Sequence, residues 1–133
     1  MNIHHIGYAV HNIDHAIKSF LSLGYSIGNK TIDTNRKVII VFVKNGNVKV
    51  ELIAPLELGS PVEGVLEKNG PTPYHICYKV LNIDDAIKDL MKEGWIVLIK
   101  PAVAPAITEN EREAKVAFLY NKNVGLIELL EIK

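Results

Sequence analysis

The sequence predicts an α+β protein made of two repeated halves, each with the element order β-α-β-β-β. The stretch HIGYAVHNIDHAIKSFLSLGY, which begins at His5, recurs as HICYKVLNIDDAIKDLMKEGW from His75, and the two match at 11 of 21 positions without a gap. The copies start 70 residues apart and only two are present, so a solenoid array is excluded. The pattern instead favours two equal halves facing each other, each beginning with a strand that carries a histidine.

The remainder of each half repeats more faintly. Residues 37–53 align with residues 115–130 if one residue is dropped in the turn, and this alignment places Glu51 on Glu128. We therefore expect one domain, 1–133, whose halves are about 1–56 and 71–133 and are joined by a connector at 57–70. Two histidines and two glutamates then occupy equivalent positions in the two halves.

Composition restricts the class of protein. The chain has 133 residues, of which 48% are apolar, and this is enough to bury a sizeable core. Lys and Arg (15) balance Asp and Glu (15), so nothing in the charge indicates a nucleic acid or a membrane as partner. The single cysteine, Cys77, cannot form an internal disulfide, and the amino terminus lacks a signal-peptide pattern. We expect a cytoplasmic protein.

Local patterns place the elements. In the first strand apolar side chains alternate with others, so that His5 lies on one face and Ile6 on the other. Asn12 or Asp14 can cap the helix that follows. The predicted strands are 2–10, 26–33, 37–44, 47–55, 71–80, 95–100, 115–120 and 125–132, with helices at about 12–23 and 82–93 and a short helix in the connector.

A hairpin turn sets the register of the third and fourth strands. Asn45-Gly46 is the strongest short hairpin signal in the chain. A two-residue turn there pairs Ile40 with Glu51 and places both on one face. In the second half, residues 101–114 carry two prolines and a charged tip, and we interpret them as a loop and a candidate lid.

The four repeated acid and imidazole groups are the candidate site. A carboxylate in an apolar strand is costly to bury unless it is paired or bound to a metal, although a solvated sheet face is the alternative for each glutamate. A lone histidine on a strand is more often structural than a ligand. Pseudo-twofold symmetry would nevertheless bring His5, Glu51, His75 and Glu128 to one point, and such a mixed nitrogen and oxygen set suits a divalent first-row metal.

Other candidates are weaker. His4 points to the face opposite its neighbour and is expected to pack or meet solvent. His11 and His15 have no counterparts in the second half and are expected at the surface. Cys77 shares a face with His75, and we interpret it as a small wall residue of the site.

Several stretches resemble the vicinal oxygen chelate superfamily, which includes glyoxalase I, methylmalonyl-CoA epimerase, extradiol dioxygenases and fosfomycin and bleomycin resistance proteins. They are HHIGYAV, VELIAPLELGSPVEGVLEKNG, YHICYKVLNIDDAIKDL and the pair KVAFLY and VGLIELLE. The resemblance covers essentially the whole chain, most clearly to the epimerases and, in its His/Glu/His/Glu set, to glyoxalase I. It implies two βαβββ modules forming a cupped mixed sheet around a metal, with the ligands on His5, Glu51, His75 and Glu128.

The resemblance also implies a function. A divalent ion (Ni, Co, Mn or Zn) would stabilise charge on a small substrate while Glu128 or Glu51 moves a proton α to a carbonyl, in an isomerase or lyase such as lactoylglutathione lyase. A homodimer is expected. The alternative is a non-catalytic member that binds a small molecule or metal. The epimerases carry a further glutamate, which the alignment places at Ile40, so methylmalonyl-CoA epimerisation is expected to be slow or absent.

Overall fold

The computed structural model of the chain describes residues 1–104 and 113–133, and it confirms the predicted α+β class. The described residues form eight strands and three helices. In chain order they are β1 (Asn2–Ala9), α1 (Ile13–Ser22), β2 (Ser26–Asp33), β3 (Val38–Asn45), β4 (Val48–Pro55), α2 (Val62–Asn69), β5 (Thr72–Lys79), α3 (Ile83–Lys92), β6 (Ile96–Val103), β7 (Ala114–Asn121) and β8 (Gly125–Ile132).

The chain divides into two compact units. The first unit is His5–Tyr74, and the second is His75–Lys133 together with Met1–His4. In the first unit the strand order is β2-β3-β4-β1, and in the second it is β5-β8-β7-β6. In both, the first strand of the repeat runs parallel to the last, and the other neighbours are antiparallel. The βαβββ order predicted for each half is therefore confirmed.

Each unit packs its long helix against one face of its own strands. In the first unit Val41, Leu52 and Ile13 belong to a buried cluster, with Ile6 and Phe20 packed against it. The second unit has the equivalent cluster between α3 and strands β5, β7 and β8. Since side chains alternate along a strand, the opposite face of each unit carries His5 and Glu51, or His75 and Glu128.

Both long helices begin as the sequence predicts. The side chain of Asn12 accepts a hydrogen bond from the backbone N–H of His15, and Asn82 does the same for Asp85. Asparagine is thus the cap in both helices, and Asp14, the alternative candidate in the first, lies in the first turn. There its carboxylate, 2.9 Å from Lys30, forms an exposed ion pair. No helix within the described ranges is long and apolar enough to cross a membrane.

The register predicted for the β3–β4 hairpin is wrong by two residues. Asn45 pairs with Val48, so the turn is Gly46-Asn47 and not Asn45-Gly46. Ile40 consequently lies opposite Ile53, and it is Phe42 that lies opposite Glu51. Gly46 has φ of +59° at the first central position, the conformation that a type II′ turn requires of glycine. The chain uses this turn in place of the Asn-Gly type I′ turn.

The sequence alignment of residues 37–53 with residues 115–130 is also wrong in the hairpin. Phe118 lies opposite Glu128 as Phe42 lies opposite Glu51, so the two phenylalanines are equivalent. The second hairpin turn, residues 122–124, has one residue more than the first, whereas the sequence alignment gave it one fewer. The equivalence of Glu51 and Glu128 is unaffected, since each is the fourth residue of its strand.

Both ends of the range 101–114, which the sequence predicts to be a loop, lie in strands. Residues 101–103 continue β6, and Ala114 begins β7. Ala104 donates a backbone hydrogen bond to Ala114, which joins the two ends. The lid interpretation concerned the whole stretch 101–114. Residues 105–112 lie outside the described residues, so this interpretation stays a prediction.

Candidate metal centre

The first unit buries a histidine beside a glutamate. Gly7 of β1 is the register partner of Glu51 on β4, so His5, two residues earlier on β1, shares the face of that glutamate. His5 is 1% exposed and Glu51 is 3% exposed. Nε2 of the imidazole lies 3.5 Å from Oε1 of the carboxylate. Two adjacent parallel strands thus hold an imidazole and a carboxylate together, away from water.

The second unit repeats this arrangement with other residues. Cys77 of β5 is the register partner of Glu128 on β8, which places His75 on the same face. His75 is 4% exposed and Glu128 is 1% exposed. Here Nε2 of the imidazole lies 3.3 Å from Oε1 of the carboxylate. The solvated-face alternative is therefore wrong for both glutamates.

A phenylalanine supports each imidazole, and the sequence did not indicate it. The rings of His5 and Phe42 meet edge to face, with centroids 5.3 Å apart and an interplanar angle of 83°. The rings of His75 and Phe118 do the same at 5.4 Å and 88°. Such T-shaped pairs are favourable by about 0.5–1.5 kcal/mol and restrict the orientation of both rings. The correct hairpin register would have found both phenylalanines.

The surroundings of each pair are largely apolar. Along β4 the face-mates of Glu51 are Ile53, which is buried, and Lys49, which is half-buried, while Val50 and Leu52 belong to the buried cluster on the opposite face. Glu128 has Leu130 in the place of Ile53, and that leucine is fully buried. A carboxylate in such a position costs several kcal/mol to bury unless a cation or proton compensates it.

The donor set of each pair fits a divalent ion. Ligand atoms about 2.1 Å from one ion lie roughly 3.0–3.4 Å apart, for coordination angles between octahedral and tetrahedral. The separations of 3.5 Å and 3.3 Å between Nε2 and Oε1 are close to this range. Imidazole nitrogen and carboxylate oxygen are also ligand types that first-row divalent metals accept. That all four side chains bind one ion stays a prediction.

The weaker candidates mostly lie where the sequence placed them. His11 and His15 are exposed, as predicted. His4 is half-buried. Cys77 is fully buried beside Glu128 in the register, consistent with a small wall residue. In the first unit Gly7 takes its place.

The sequence matches the Glyoxalase/Bleomycin resistance protein/Dioxygenase superfamily over residues 4–118. This match covers most of the chain, and the chain belongs to that superfamily.

Among characterised proteins the chain is similar to methylmalonyl-CoA epimerases. It is 36% identical to the mitochondrial methylmalonyl-CoA epimerase of Homo sapiens over 131 residues, which are 96% of this chain and 72% of that protein. It is also 36% identical to an ethylmalonyl-CoA/methylmalonyl-CoA epimerase of Cereibacter sphaeroides over 94 residues, 69% of each protein.

Solved structures show the same fold. A hypothetical protein from Bacillus halodurans superposes with a TM-score of 0.86 at 26% identity, over 99% of this chain and 94% of that one. The methylmalonyl-CoA epimerase of Mycobacterium tuberculosis gives a TM-score of 0.82 at 23% identity, over 97% and 86%. The glyoxalase-like fold implied by the family resemblance is thereby confirmed for the chain.

Proposed function

We propose that His5, Glu51, His75 and Glu128 together hold one divalent metal ion, and that the chain catalyses proton transfer α to a carbonyl of a small acyl substrate. One observation carries the proposal: two units of the same chain each bury a histidine beside a glutamate, at equivalent strand positions and nearly equal separations. Four such groups are hard to explain by folding alone, since apolar residues of similar size would be more stable there.

The residues of the candidate metal centre have different roles in this reaction. A divalent ion, when bound, would polarise the substrate carbonyl and so make the α-proton more acidic. Glu128 or Glu51 accepts that proton, and burial strengthens the electrostatic interactions of the carboxylate. His5 and His75 are held in orientation by Phe42 and Phe118. Isomerisation follows when a proton returns to a different face or a different carbon.

Epimerase-type isomerisation is the first reaction to test. The relatives in Homo sapiens and Cereibacter sphaeroides carry that name, and one similar structure is a methylmalonyl-CoA epimerase in complex with methylmalonyl-CoA and NH₄⁺. The expectation that Ile40 makes this reaction slow rested partly on the register that placed Ile40 beside Glu51. Phe42 occupies that position instead, and β3 carries no carboxylate. The expectation of slow methylmalonyl-CoA epimerisation therefore stays a prediction, and fast epimerisation would assign the second proton transfer to Glu51.

The experiment combines metal analysis with a proton-exchange assay. Protein stripped with a chelator is reloaded with Ni²⁺, Co²⁺, Mn²⁺ or Zn²⁺, and we expect about one ion per chain, bound less tightly as the solution is acidified because imidazole binds metal only when neutral. Exchange of the α-proton of methylmalonyl-CoA in D₂O is then followed by NMR, with the glutathione hemithioacetal of methylglyoxal as the glyoxalase-type substrate. Exchange should require metal. Binding of metal without exchange of either substrate would support the non-catalytic alternative, and no binding would refute the proposal.

A further inference from the structure

The terminal strands β2 and β6 are irregular at equivalent places, next to the same phenylalanine position. In the first unit two residues of β2, Gly28 and Asn29, lie opposite Phe42 alone, which is a β-bulge. In the second unit one extra residue of β6, Leu98, lies at the equivalent place beside Phe118. These are the two phenylalanines that contact candidate metal ligands edge to face. Bulges are common next to active sites, where they change the direction of a side chain, so the repeated position connects them with the phenylalanines.

In the first unit the bulge lies very close to the backbone of β3. A Cβ atom at Gly28 would be 2.8 Å from the carbonyl oxygen of Phe42 and 3.9 Å from its Cβ atom. The first distance is too short for two non-bonded heavy atoms, and the oxygen belongs to the backbone and not to a side chain that could turn away. A glycine inside a strand often marks such a close approach of another backbone. Only glycine therefore allows β2 to lie this close to Phe42.

The bulge by itself does not require a glycine. Leu98 takes the place of Gly28 in the second unit, and its side chain is 57% exposed. A bulge can also protect an edge strand such as β2 from pairing with another chain, but that purpose does not require glycine either. Glycine inside a strand is moreover unfavourable, because it loses more conformational freedom on folding than other residues. The close approach of β2 to Phe42 is therefore the feature that explains Gly28.

The backbone of Phe42 connects this approach to the candidate metal centre. On its other side Phe42 pairs with Glu51 of β4. Its ring meets the imidazole of His5 with the two centroids 5.3 Å apart. A displacement of Phe42 away from β2 would therefore change the position of its ring relative to His5.

We propose that Gly28 is a positioning residue of the candidate metal centre. It allows the bulge of β2 to lie against Phe42, and this contact keeps the Phe42 ring on the imidazole of His5. The inference rests on the proposed function where it concerns metal, whereas the contact of the two rings is present without metal. A side chain at residue 28 would displace β3 and so disturb the ring. If β2 moved outward instead, only the stability of the unit would change, and the experiment distinguishes these two responses.

The experiment measures ring position, metal affinity and stability separately. The variants are Gly28→Ala, Phe42→Leu, the double variant and, as a control, Ile13→Val. Ile13 belongs to the buried cluster on the helix-facing side of the same unit, so the loss of one methylene there lowers stability without a change at β2. NMR of the metal-free protein detects the nuclear Overhauser effect between the rings of Phe42 and His5. Calorimetry gives the affinity for Zn²⁺, and urea denaturation gives the free energy of unfolding.

We expect Gly28→Ala to weaken or abolish the nuclear Overhauser effect between the two rings. Binding of Zn²⁺ should weaken by up to about tenfold, the effect expected for removal of the Phe42 ring itself. In the Phe42→Leu background the same substitution should weaken binding no further, because Gly28 acts through that ring. Ile13→Val should lower stability alone. If Gly28→Ala does not fold by itself, Gly64→Ala is added to every variant, since alanine is favoured over glycine within α2.

Three results would overturn the inference. They are an unchanged ring contact in Gly28→Ala, an unchanged affinity for Zn²⁺ in a parent that binds it, and a full additional loss of affinity in the Phe42→Leu background. A parent protein that binds no Zn²⁺, together with loss of the ring contact in Gly28→Ala, would count against the proposed function alone. The contact between Gly28 and Phe42 would in that case still be confirmed as the one that holds the ring on His5.

Discussion

At the scale of single residues, Phe42 and Phe118 contact the imidazoles of His5 and His75 edge to face, and we infer that they orient these imidazoles. We expect Phe42→Leu to weaken metal binding by up to about tenfold, since the T-shaped pair that fixes His5 contributes about 0.5–1.5 kcal/mol. Calorimetric titration with Zn²⁺ or Ni²⁺ measures this. Phe20→Leu is the matched control, because Phe20 makes the same kind of contact with Tyr8 at 5.3 Å in the helix-facing core. Equal losses in both variants would assign Phe42 to general stability.

Also at the residue scale, the second unit allows a test of whether its buried pair serves folding or function. Replacing a buried ionic pair by well-packed apolar residues is often neutral, or stabilising by about 1–4 kcal/mol. We therefore expect His75→Leu/Glu128→Leu to keep or raise the free energy of unfolding of the metal-free protein, while metal binding and proton exchange are lost. Urea denaturation and calorimetry give the two readouts. A loss of several kcal/mol in the metal-free state would contradict a functional assignment.

At the scale of elements, a comparison of two glycines with open space at the Cβ position separates the effect of backbone conformation from that of packing. A Cβ at either Gly46 or Gly64 would meet nothing within 4 Å. Gly46 has φ of +59° in the β3–β4 turn, so Gly46→Ala should destabilise the chain by about 1 kcal/mol. Gly64 lies inside α2, where alanine is favoured over glycine by roughly 0.5–1 kcal/mol, so Gly64→Ala should stabilise. Chemical denaturation of both variants checks the opposite signs, and a neutral Gly46→Ala would refute the type II′ turn.

The same turn shows how far the elements could be predicted. Strand and helix positions follow from periodicity and caps, and β2 and β8 begin and end where the sequence places them. The face of each strand follows too, so the His and Glu positions of the candidate site were found without the structure. The register of the β3–β4 hairpin could not be predicted from the sequence. Both Asn45-Gly46 and Gly46-Asn47 are favourable two-residue turns, and the local sequence does not distinguish between them. Phe42 was missed for this reason alone.

At the scale of the whole molecule, the edge strands of the two units differ in character. β6, the terminal strand in the order of the second unit, exposes four apolar side chains, each 51–60% accessible: Ile96, Leu98, Ile99 and Val103. β2 holds the equivalent place in the first unit and has the polar sequence SIGNKTID. An apolar terminal strand is prone to pair with another chain unless it is covered. We therefore expect the homodimer to form through the exposed apolar side chains of β6.

The last prediction is that β6 contributes to a dimer. Light scattering at micromolar concentration should show twice the chain mass of 14.8 kDa for the parent protein. Leu98→Lys/Ile99→Lys places two charges on the apolar strand, where burial of an ammonium group in an interface is strongly unfavourable, and should yield the monomer. Asn29→Lys is the control, since residue 29 is exposed on β2 at the repeat position of Ile99. A monomeric parent would refute the dimer, and a dimer that survives both lysines would place its interface away from β6.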